Sequence, residues 1–140
     1  MEIKKSDLKY FEHAKNIALM SDFKKEKIGC VIVYHKSIIS FGFNTNKTHP
    51  IQMKYNKIRF DNEDAIHKIH AEISALIQIQ YEDIQWNKVS MYVYRVSKSY
   101  ESGYGMARPC KSCMAFIKKL GIKNIYYTTY DGFAHERLQY

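Results

Sequence analysis

Two short stretches carry the clearest chemical signal: residues 70–72 read His-Ala-Glu, and residues 109–113 read Pro-Cys-Lys-Ser-Cys. Zinc prefers a tetrahedral set of nitrogen and sulfur ligands, and a catalytic zinc keeps three protein ligands and one water. His70, Cys110 and Cys113 supply three such ligands. Glu72 then remains as a carboxylate that is free to move protons. Together the two stretches predict one catalytic Zn²⁺ per chain.

Each stretch alone is a weak signal. An H-x-E triplet occurs often by chance, and a lone C-x-x-C is also typical of a redox pair or of half a structural zinc site. The alternatives are a closed zinc site with a fourth protein ligand, or a domain that binds without catalysis. Glu72 and the lack of a second C-x-x-C in the sequence speak against them.

Both stretches are predicted to lie at helix starts. Residues 65–80 carry apolar side chains at helical spacing, and a proline stands directly ahead of the cysteines. Deep in a regular helix, residues two apart diverge by about 200°. Near a helix start, His70 and Glu72 can face the same cleft. Cys110 and Cys113 are three apart, so they share a helix face.

This combination resembles the H-x-E…P-C-x-x-C signature of the zinc-dependent cytidine deaminase superfamily. The resemblance covers roughly residues 10–127 and is nearest to deoxycytidylate deaminases, including those of bacteriophages. This resemblance rests on three features: the small size, the long connection before the H-x-E and the stretch KKLGIKNIYY after the cysteines. It implies an α/β fold of three α/β/α layers around a central mixed sheet of about five strands. It also implies hydrolytic deamination with Glu72 as the proton carrier.

The remaining pattern is consistent with that fold. A first helix is predicted ahead of a hairpin, and the tail over residues 133–140 is interpreted as a short segment that could form a helix. Apolar runs rich in β-branched residues predict strands over residues 28–34, 38–43, 89–96 and 122–128.

The length and composition predict a single deaminase domain over residues 1–140. No apolar run reaches the length of a membrane span, and residues 1–11 lack the apolar core of a signal peptide. We therefore expect a cytoplasmic protein with no membrane partner. Cys30, inside an apolar strand-like run, is predicted to be a small buried hydrophobic residue.

The net charge of +8 is concentrated in residues 1–60, where 12 Lys and Arg stand against 5 Asp and Glu. Residues 61–140 carry 10 Lys and Arg against 9 Asp and Glu. A basic surface attracts phosphate, whether on a nucleotide or on nucleic acid. Because the chain holds 18 Lys and only 4 Arg, a plain solvated lysine-rich surface is the alternative.

The resemblance implies substrate contacts at five residues. Asn44 matches a position whose amide bonds the sugar hydroxyls, although asparagine is also common in turns. Backbone groups of Gly29 and Ala71 would approach the base. The carbonyl of Arg108 would lie near the leaving amine, and its side chain could reach a phosphate. Tyr104, in the loop ahead of the cysteines, would line the substrate mouth.

The connection over residues 45–63 is long and mixes cations with aromatic residues, as phosphate and base binding require. A charged surface loop without a ligand is the alternative. Some nucleotide-level relatives carry an extra zinc, for which His49 would be the candidate ligand, but no cysteine lies near it in the sequence.

The leading hypothesis is deamination of a free cytosine nucleotide, dCMP first. The sequence over residues 70–76, His-Ala-Glu-Ile-Ser-Ala-Leu, also resembles tRNA adenosine deaminases. The runner-up is thus a deaminase acting on tRNA adenosine, or on cytosine in single-stranded DNA or RNA, bound through the basic first segment. A pterin or riboflavin precursor is a more distant substrate. Relatives assemble as dimers, tetramers or hexamers, so we expect a homo-oligomer.

Overall fold

A five-stranded sheet forms the centre of the computed structural model, which describes residues 3–24, 26–46 and 70–139. The strands are β1 (Lys27–Tyr34), β2 (Ser37–Phe43), β3 (Ser90–Val96), β4 (Asn124–Thr128) and β5 (Phe133–Arg137). Their order is β2-β1-β3-β4-β5. β3 and β4 are parallel, and the other neighbours are antiparallel. The sheet is therefore mixed.

Helices cover both faces of this sheet. They are α1 (Lys5–Ala18), α2 (Ala71–Ile77), α3 (Lys111–Leu120) and a one-turn 3₁₀ helix (Trp86–Lys88). Side chains of β1 alternate between the two faces, as a pleated strand requires. Cys30 and Ile32 pack with α2 and α3, whereas Val31 and Val33 pack with α1. The predicted three-layer fold, with both ligand-bearing helices on one face, is confirmed. In the described ranges, no helix has the length and apolarity that a membrane crossing demands.

Two glycines let helices lie directly on the hairpin of β1 and β2. A Cβ on Gly29 would stand 2.2 Å from the carbonyl oxygen of Ala14 in α1. A Cβ on Gly42 would stand 2.5 Å from the backbone nitrogen of Ala75 and 2.6 Å from the carbonyl oxygen of Ala71. Real Cβ atoms do not approach backbone so closely. Gly42 therefore sets how near α2, and the residues at its start, lie to the sheet.

The C-terminal tail is an edge strand, and its interpretation as a helix was wrong. β5 pairs antiparallel with β4, from Phe133 opposite Thr128 to Arg137 opposite Asn124. The Phe133 ring packs 4.4 Å from the ring of Phe11 on the α1 face. A helix this short is unstable alone. Pairing with the edge of β4, in contrast, satisfies the backbone N–H and C=O groups of this segment.

Of the helix predicted over residues 65–80, residues 65–69 lie outside the described residues; α2 covers Ala71–Ile77, and turns rather than helix follow it. Residues 47–69 lie outside the described residues. Most of the predicted phosphate-binding connection, and His49 within it, falls in that range.

Candidate metal centre and active site

Three side chains converge as the sequence predicts. Ligand atoms of His70, Cys110 and Cys113 all lie within 4.8 Å of one another. Nδ1 of His70 is 3.2 Å from Sγ of Cys113 and 3.5 Å from Sγ of Cys110. A tetrahedral zinc with ordinary bond lengths holds nitrogen and sulfur about 3.5 Å apart. The donor set and its spacing therefore fit one zinc ion, with Nδ1 as the coordinating nitrogen.

His70 and Cys110 occupy equivalent positions, the N-caps of α2 and α3. Both have extended backbone, with φ −83° and ψ 155° for His70 and φ −71° and ψ 173° for Cys110. Their carbonyls accept the first helical hydrogen bonds, from Ser74 at 3.0 Å and Met114 at 2.8 Å. Because His70 precedes the first helical turn, the rotation that separates helical residues two apart does not apply to it and Glu72. The predicted helix start at the H-x-E is confirmed.

The start of α3 favours the thiolate form of Cys110. The partial positive charge of a helix N-terminus stabilises a nearby anion. The pKa of Cys110 is lowered to about 3, chiefly by a hydrogen bond from Cys113 and, against the effect of burial, by the His70 ring and Ser112. Burial and the same bond to Cys110 raise the pKa of Cys113. The thiolate is the form that binds metals.

Glu72 lies beside these ligands with only 5% of its surface exposed. Burial raises the pKa of its carboxyl, while the positive charge of His70 opposes that shift and the charge on Cys110 adds to it. A carboxyl with a raised pKa holds a proton more readily than a solvent-exposed one, which suits a residue that must accept and release protons. Cys30 lies on β1 near Glu72; it is fully buried, as predicted, and burial raises the pKa of its thiol.

Ala71, between the ligand and the carboxylate, is the first residue of α2 and is fully buried. N–H groups in the first turn of a helix have no partner inside the helix. The N–H of Ala71 is therefore a suitable donor, and its bond to the base carbonyl stays a prediction. Gly29 lies in the middle of the sheet, paired with Phe43 on β2 and Tyr94 on β3, and its open side faces α1. Its approach to the base also stays a prediction.

The amide of Asn44 is used by the backbone around the start of β1. Its Oδ1 accepts a hydrogen bond from the N–H of Ile28 at 2.9 Å, and its Nδ2 donates to the carbonyl of Glu26 at 2.7 Å. The side chain is 8% exposed. These contacts join the end of β2 to the start of β1. The predicted contact with sugar hydroxyls stays a prediction.

The guanidinium of Arg108 is paired with β5. Its Nε and Nη2 each lie 2.9 Å from a carboxylate oxygen of Glu136. The hydroxyl of Tyr127 donates to the same carboxylate at 3.1 Å. These bonds raise the pKa of Arg108 and lower the pKa of Glu136. The predicted role of the Arg108 carbonyl stays a prediction, while its side chain is held by Glu136 in the structure.

Tyr104 lies with the aromatic side chains of the α1 face. Its ring stacks on Phe133 at 5.3 Å and meets Tyr94 edge-on at 5.8 Å. Tyr104 also forms an isolated antiparallel β-bridge with Val96, which directs the loop towards the α1 face. Two of the candidate zinc ligands, Cys110 and Cys113, pack on the opposite face of the sheet. The structure does not bring Tyr104 together with them.

Two residues near the site were missed by the sequence reasoning. Ser112 is fully buried with its hydroxyl 3.0 Å from Sγ of Cys110. Its place inside the C-x-x-C was the only available signal. Glu136 carries no local signal, because it comes beside Arg108 only through the pairing of β5 with β4.

Comparison with known proteins agrees with this geometry. A profile described as "Cytidine and deoxycytidylate deaminase zinc-binding region" matches residues 4–129. The chain resembles the solved apo dCMP deaminase of cyanophage S-TIM5, with 21% identity and a TM-score of 0.60 over 92% of this chain and 86% of that one. The structure of the same phage enzyme in complex with dCMP and dUMP is also similar, with 21% identity and a TM-score of 0.59. The match covers 90% of this chain and 83% of that one.

A cytidine deaminase from Burkholderia pseudomallei shares the fold at 13% identity, with a TM-score of 0.62 over 96% of this chain and 93% of that one. A comparison with curated protein sequences gives no significant match. The matched region, residues 4–129, contains both the H-x-E and the P-C-x-x-C of this chain, and so the convergent side chains and the carboxylate. The chain belongs to the cytidine and deoxycytidylate deaminase family, and it is a zinc-dependent hydrolytic deaminase.

Proposed function

We propose that this protein deaminates a free cytosine nucleotide, with dCMP as its first substrate, to give dUMP and ammonia. The observation that carries the proposal is the buried carboxyl of Glu72 beside three side chains that fit a zinc ion. A metal site with a neighbouring carboxyl that is not itself a ligand is the arrangement that hydrolytic deamination requires.

The reaction replaces an amino group by oxygen. One water molecule supplies the oxygen that bonds to C4 of cytosine, the bond from C4 to the exocyclic nitrogen breaks, and ammonia leaves. When bound, zinc would lower the pKa of a water molecule to about 7 and so provide a nucleophile at neutral pH. His70, Cys110 and Cys113 would hold the ion and leave its fourth position open.

Glu72 would carry the protons. Its carboxylate takes up the two protons of the attacking water in turn, and it passes the first to the ring nitrogen and the second to the departing amine. The raised pKa supports this cycle, because the carboxyl must hold a proton for part of each turnover.

The start of α2 would orient the base. The N–H of Ala71 points out of the first helical turn and would donate to the carbonyl of the base. Because Ala71 stands between His70 and Glu72, this bond would hold the base beside the carboxyl of Glu72. Asn44 and the Arg108 carbonyl are the other candidate contacts, for the sugar and the leaving amine.

Support for a nucleotide as substrate comes from the sequence. The sequence resembles deoxycytidylate deaminases, and residues 45–63 carry 4 Lys and Arg that could hold a phosphate. The structurally similar cyanophage enzyme was solved with dCMP and dUMP. Arg108 is a weaker candidate for the phosphate than the sequence suggested, because Glu136 already neutralises its charge.

The second candidate is a base within a nucleic acid. The excess of 7 positive charges in residues 1–60 favours it, because a polynucleotide presents many phosphates to such a segment. This function would need the same zinc chemistry with an open groove in place of a closed pocket. Binding of a polynucleotide that weakens steeply with salt would indicate it.

We also propose that the protein acts as a homo-oligomer in the cytoplasm. Edge strand β2 exposes Phe41 at 44% and Ile38 at 36%, apolar surface that a second copy could cover. Light scattering on the purified protein tests the assembly.

The deciding experiment measures product formation by mass spectrometry on a parallel substrate panel. The panel contains dCMP, CMP, deoxycytidine, cytidine, single-stranded DNA and tRNA, each with wild type and Glu72→Ala. We expect dUMP from dCMP with wild type alone, and a much lower kcat/KM for deoxycytidine, which lacks the phosphate. Turnover of a polynucleotide with the monomers untouched would replace the proposal by the second candidate. No deamination of any substrate by the zinc-loaded protein would overturn both.

A further inference from the structure

Ser112 lies between the two cysteine ligands, at the second position of α3. It is fully buried, and its Oγ is 3.0 Å from Sγ of Cys110. Among the described residues, no buried side-chain nitrogen or oxygen lacks a hydrogen-bond partner. The sulfur of Cys110 is thus the group that satisfies this hydroxyl.

The chemistry of the partner decides the direction of the bond. A cysteine binds zinc as a thiolate, which has no proton to donate. The hydroxyl of Ser112 must then be the donor and the sulfur the acceptor. We propose that Ser112 is a positioning residue of the zinc centre, which orients the Cys110 thiolate and sets the affinity of the protein for zinc. The inference rests on the zinc centre of the proposed function.

Hydrogen bonds to metal ligands orient them and tune their charge, and removing such a partner typically costs 10–100-fold in metal affinity. Here the donor is held closely. Ser112 and Cys110 belong to the first turn of one helix, so the backbone restricts their relative position. Because Ser112 is fully buried, water does not reach the sulfur from this side to replace a lost hydroxyl.

Ser40 provides a matched control. It is also buried, at 7% exposure, and its hydroxyl donates to the carbonyl of Ala75 at 2.7 Å. Changing either serine to alanine removes one buried hydroxyl and its single hydrogen bond. Of these two serines, only Ser112 forms its hydrogen bond with the sulfur of a candidate zinc ligand. The comparison therefore separates an effect on the zinc centre from the general cost of losing a buried hydroxyl.

The experiment measures the apparent Kd for zinc by competition with a chromophoric chelator, for wild type, Ser112→Ala and Ser40→Ala. We expect about tenfold weaker binding for Ser112→Ala and unchanged binding for Ser40→Ala. Cobalt(II) in place of zinc gives a second measurement, because its sulfur-to-metal absorption reports directly on the thiolates. That band should move in Ser112→Ala alone. Alanine is a better helix former than serine, so the variant keeps α3 intact.

Zinc affinity and a cobalt band that match wild type in Ser112→Ala would overturn the inference, as would an equal loss in Ser40→Ala. No substrate enters these measurements. A protein that binds zinc with the expected difference but deaminates nothing would refute the proposed function and leave the role of Ser112 standing. A protein that deaminates dCMP while Ser112→Ala binds zinc like wild type would refute the role of Ser112 alone.

Discussion

Arg108 and Glu136 form a two-point ion pair, with both nitrogen-to-oxygen distances at 2.9 Å. Arg108 stands two residues ahead of the zinc ligand Cys110, and Glu136 lies on β5. Tyr127 of β4 donates a third hydrogen bond to the same carboxylate. The last strand of the sheet thus holds the loop that leads into the metal centre.

Glu136→Gln should lower the free energy of unfolding at neutral pH by about 0.5–1 kcal/mol, since the pair is partly exposed and solvent screens it. The pKa of Glu136 is lowered from its ordinary value near 4.5. Its contribution is therefore present above that value and is lost as the pH falls through the lower pKa of the folded state. Chemical denaturation across this acidic range measures the difference between variant and wild type.

Both proteins are compared in their zinc-free form, so that loss of zinc at low pH does not enter the difference between them. Glu82→Gln, at an exposed carboxyl on the turn after α2, serves as the control and should match wild type throughout. A Glu136→Gln deficit that grows as the pH falls would contradict the assigned ion pair.

Glu72→Gln should keep zinc and the fold but lose turnover by at least 10²–10⁴-fold, because an amide cannot shuttle protons. Its shape matches the carboxyl, so the loss reports on chemistry rather than packing. Metal analysis and kcat on dCMP measure the two properties side by side. Turnover near the wild-type rate would remove Glu72 from the mechanism.

Cys113→Ser should lose zinc and, with it, stability, because metal binding to the folded state adds to the free energy of unfolding. Zinc content and the melting temperature with and without a chelator measure this. Cys30→Ala is the matched control, since Cys30 is equally buried but is not part of the ligand set. The control should keep full zinc content and a chelator-sensitive melting temperature. Full zinc content in Cys113→Ser would refute the assigned ligand.

Gly42→Ala should destabilise the protein by about 1–3 kcal/mol, as overpacking in a core does. The added Cβ would meet the backbone of α2 at 2.5 Å, so the helix that carries His70 and Glu72 must move. We therefore expect weaker zinc binding together with the lower stability. Gly132→Ala, whose Cβ would meet only a side-chain atom at 3.9 Å, should be near neutral in both measurements. Equal stability and equal zinc binding in Gly42→Ala and Gly132→Ala would contradict the prediction and show that α2 accommodates the added Cβ.

Much of the site could be predicted because the residues that define its chemistry lie close together in the sequence, in two short stretches. The spacing of His70, Glu72, Cys110 and Cys113 is enough to indicate zinc and a proton carrier. Capping makes this possible, because His70 and Cys110 sit where helices begin and local sequence marks such starts. The strand pattern likewise predicted four of the five strands.

Contacts between distant segments could not be predicted in this way. The side chain of Arg108 turns to Glu136, 28 residues away, and Tyr104 turns to the α1 face although it stands six residues before Cys110. Nothing local distinguishes β5 from a short helix, because only the exposed edge of β4 makes it a strand.

The sequence by itself determined the metal, the ligands and the class of reaction, since these depend on residue types at short spacing. Only the tertiary structure decided that Ser112 bonds a ligand sulfur and that Asn44 is held by the backbone of Glu26 and Ile28. The physical reason is that hydrogen-bond partners are decided by which groups folding brings within about 3 Å of one another. That distance is a property of the packed sheet and helices.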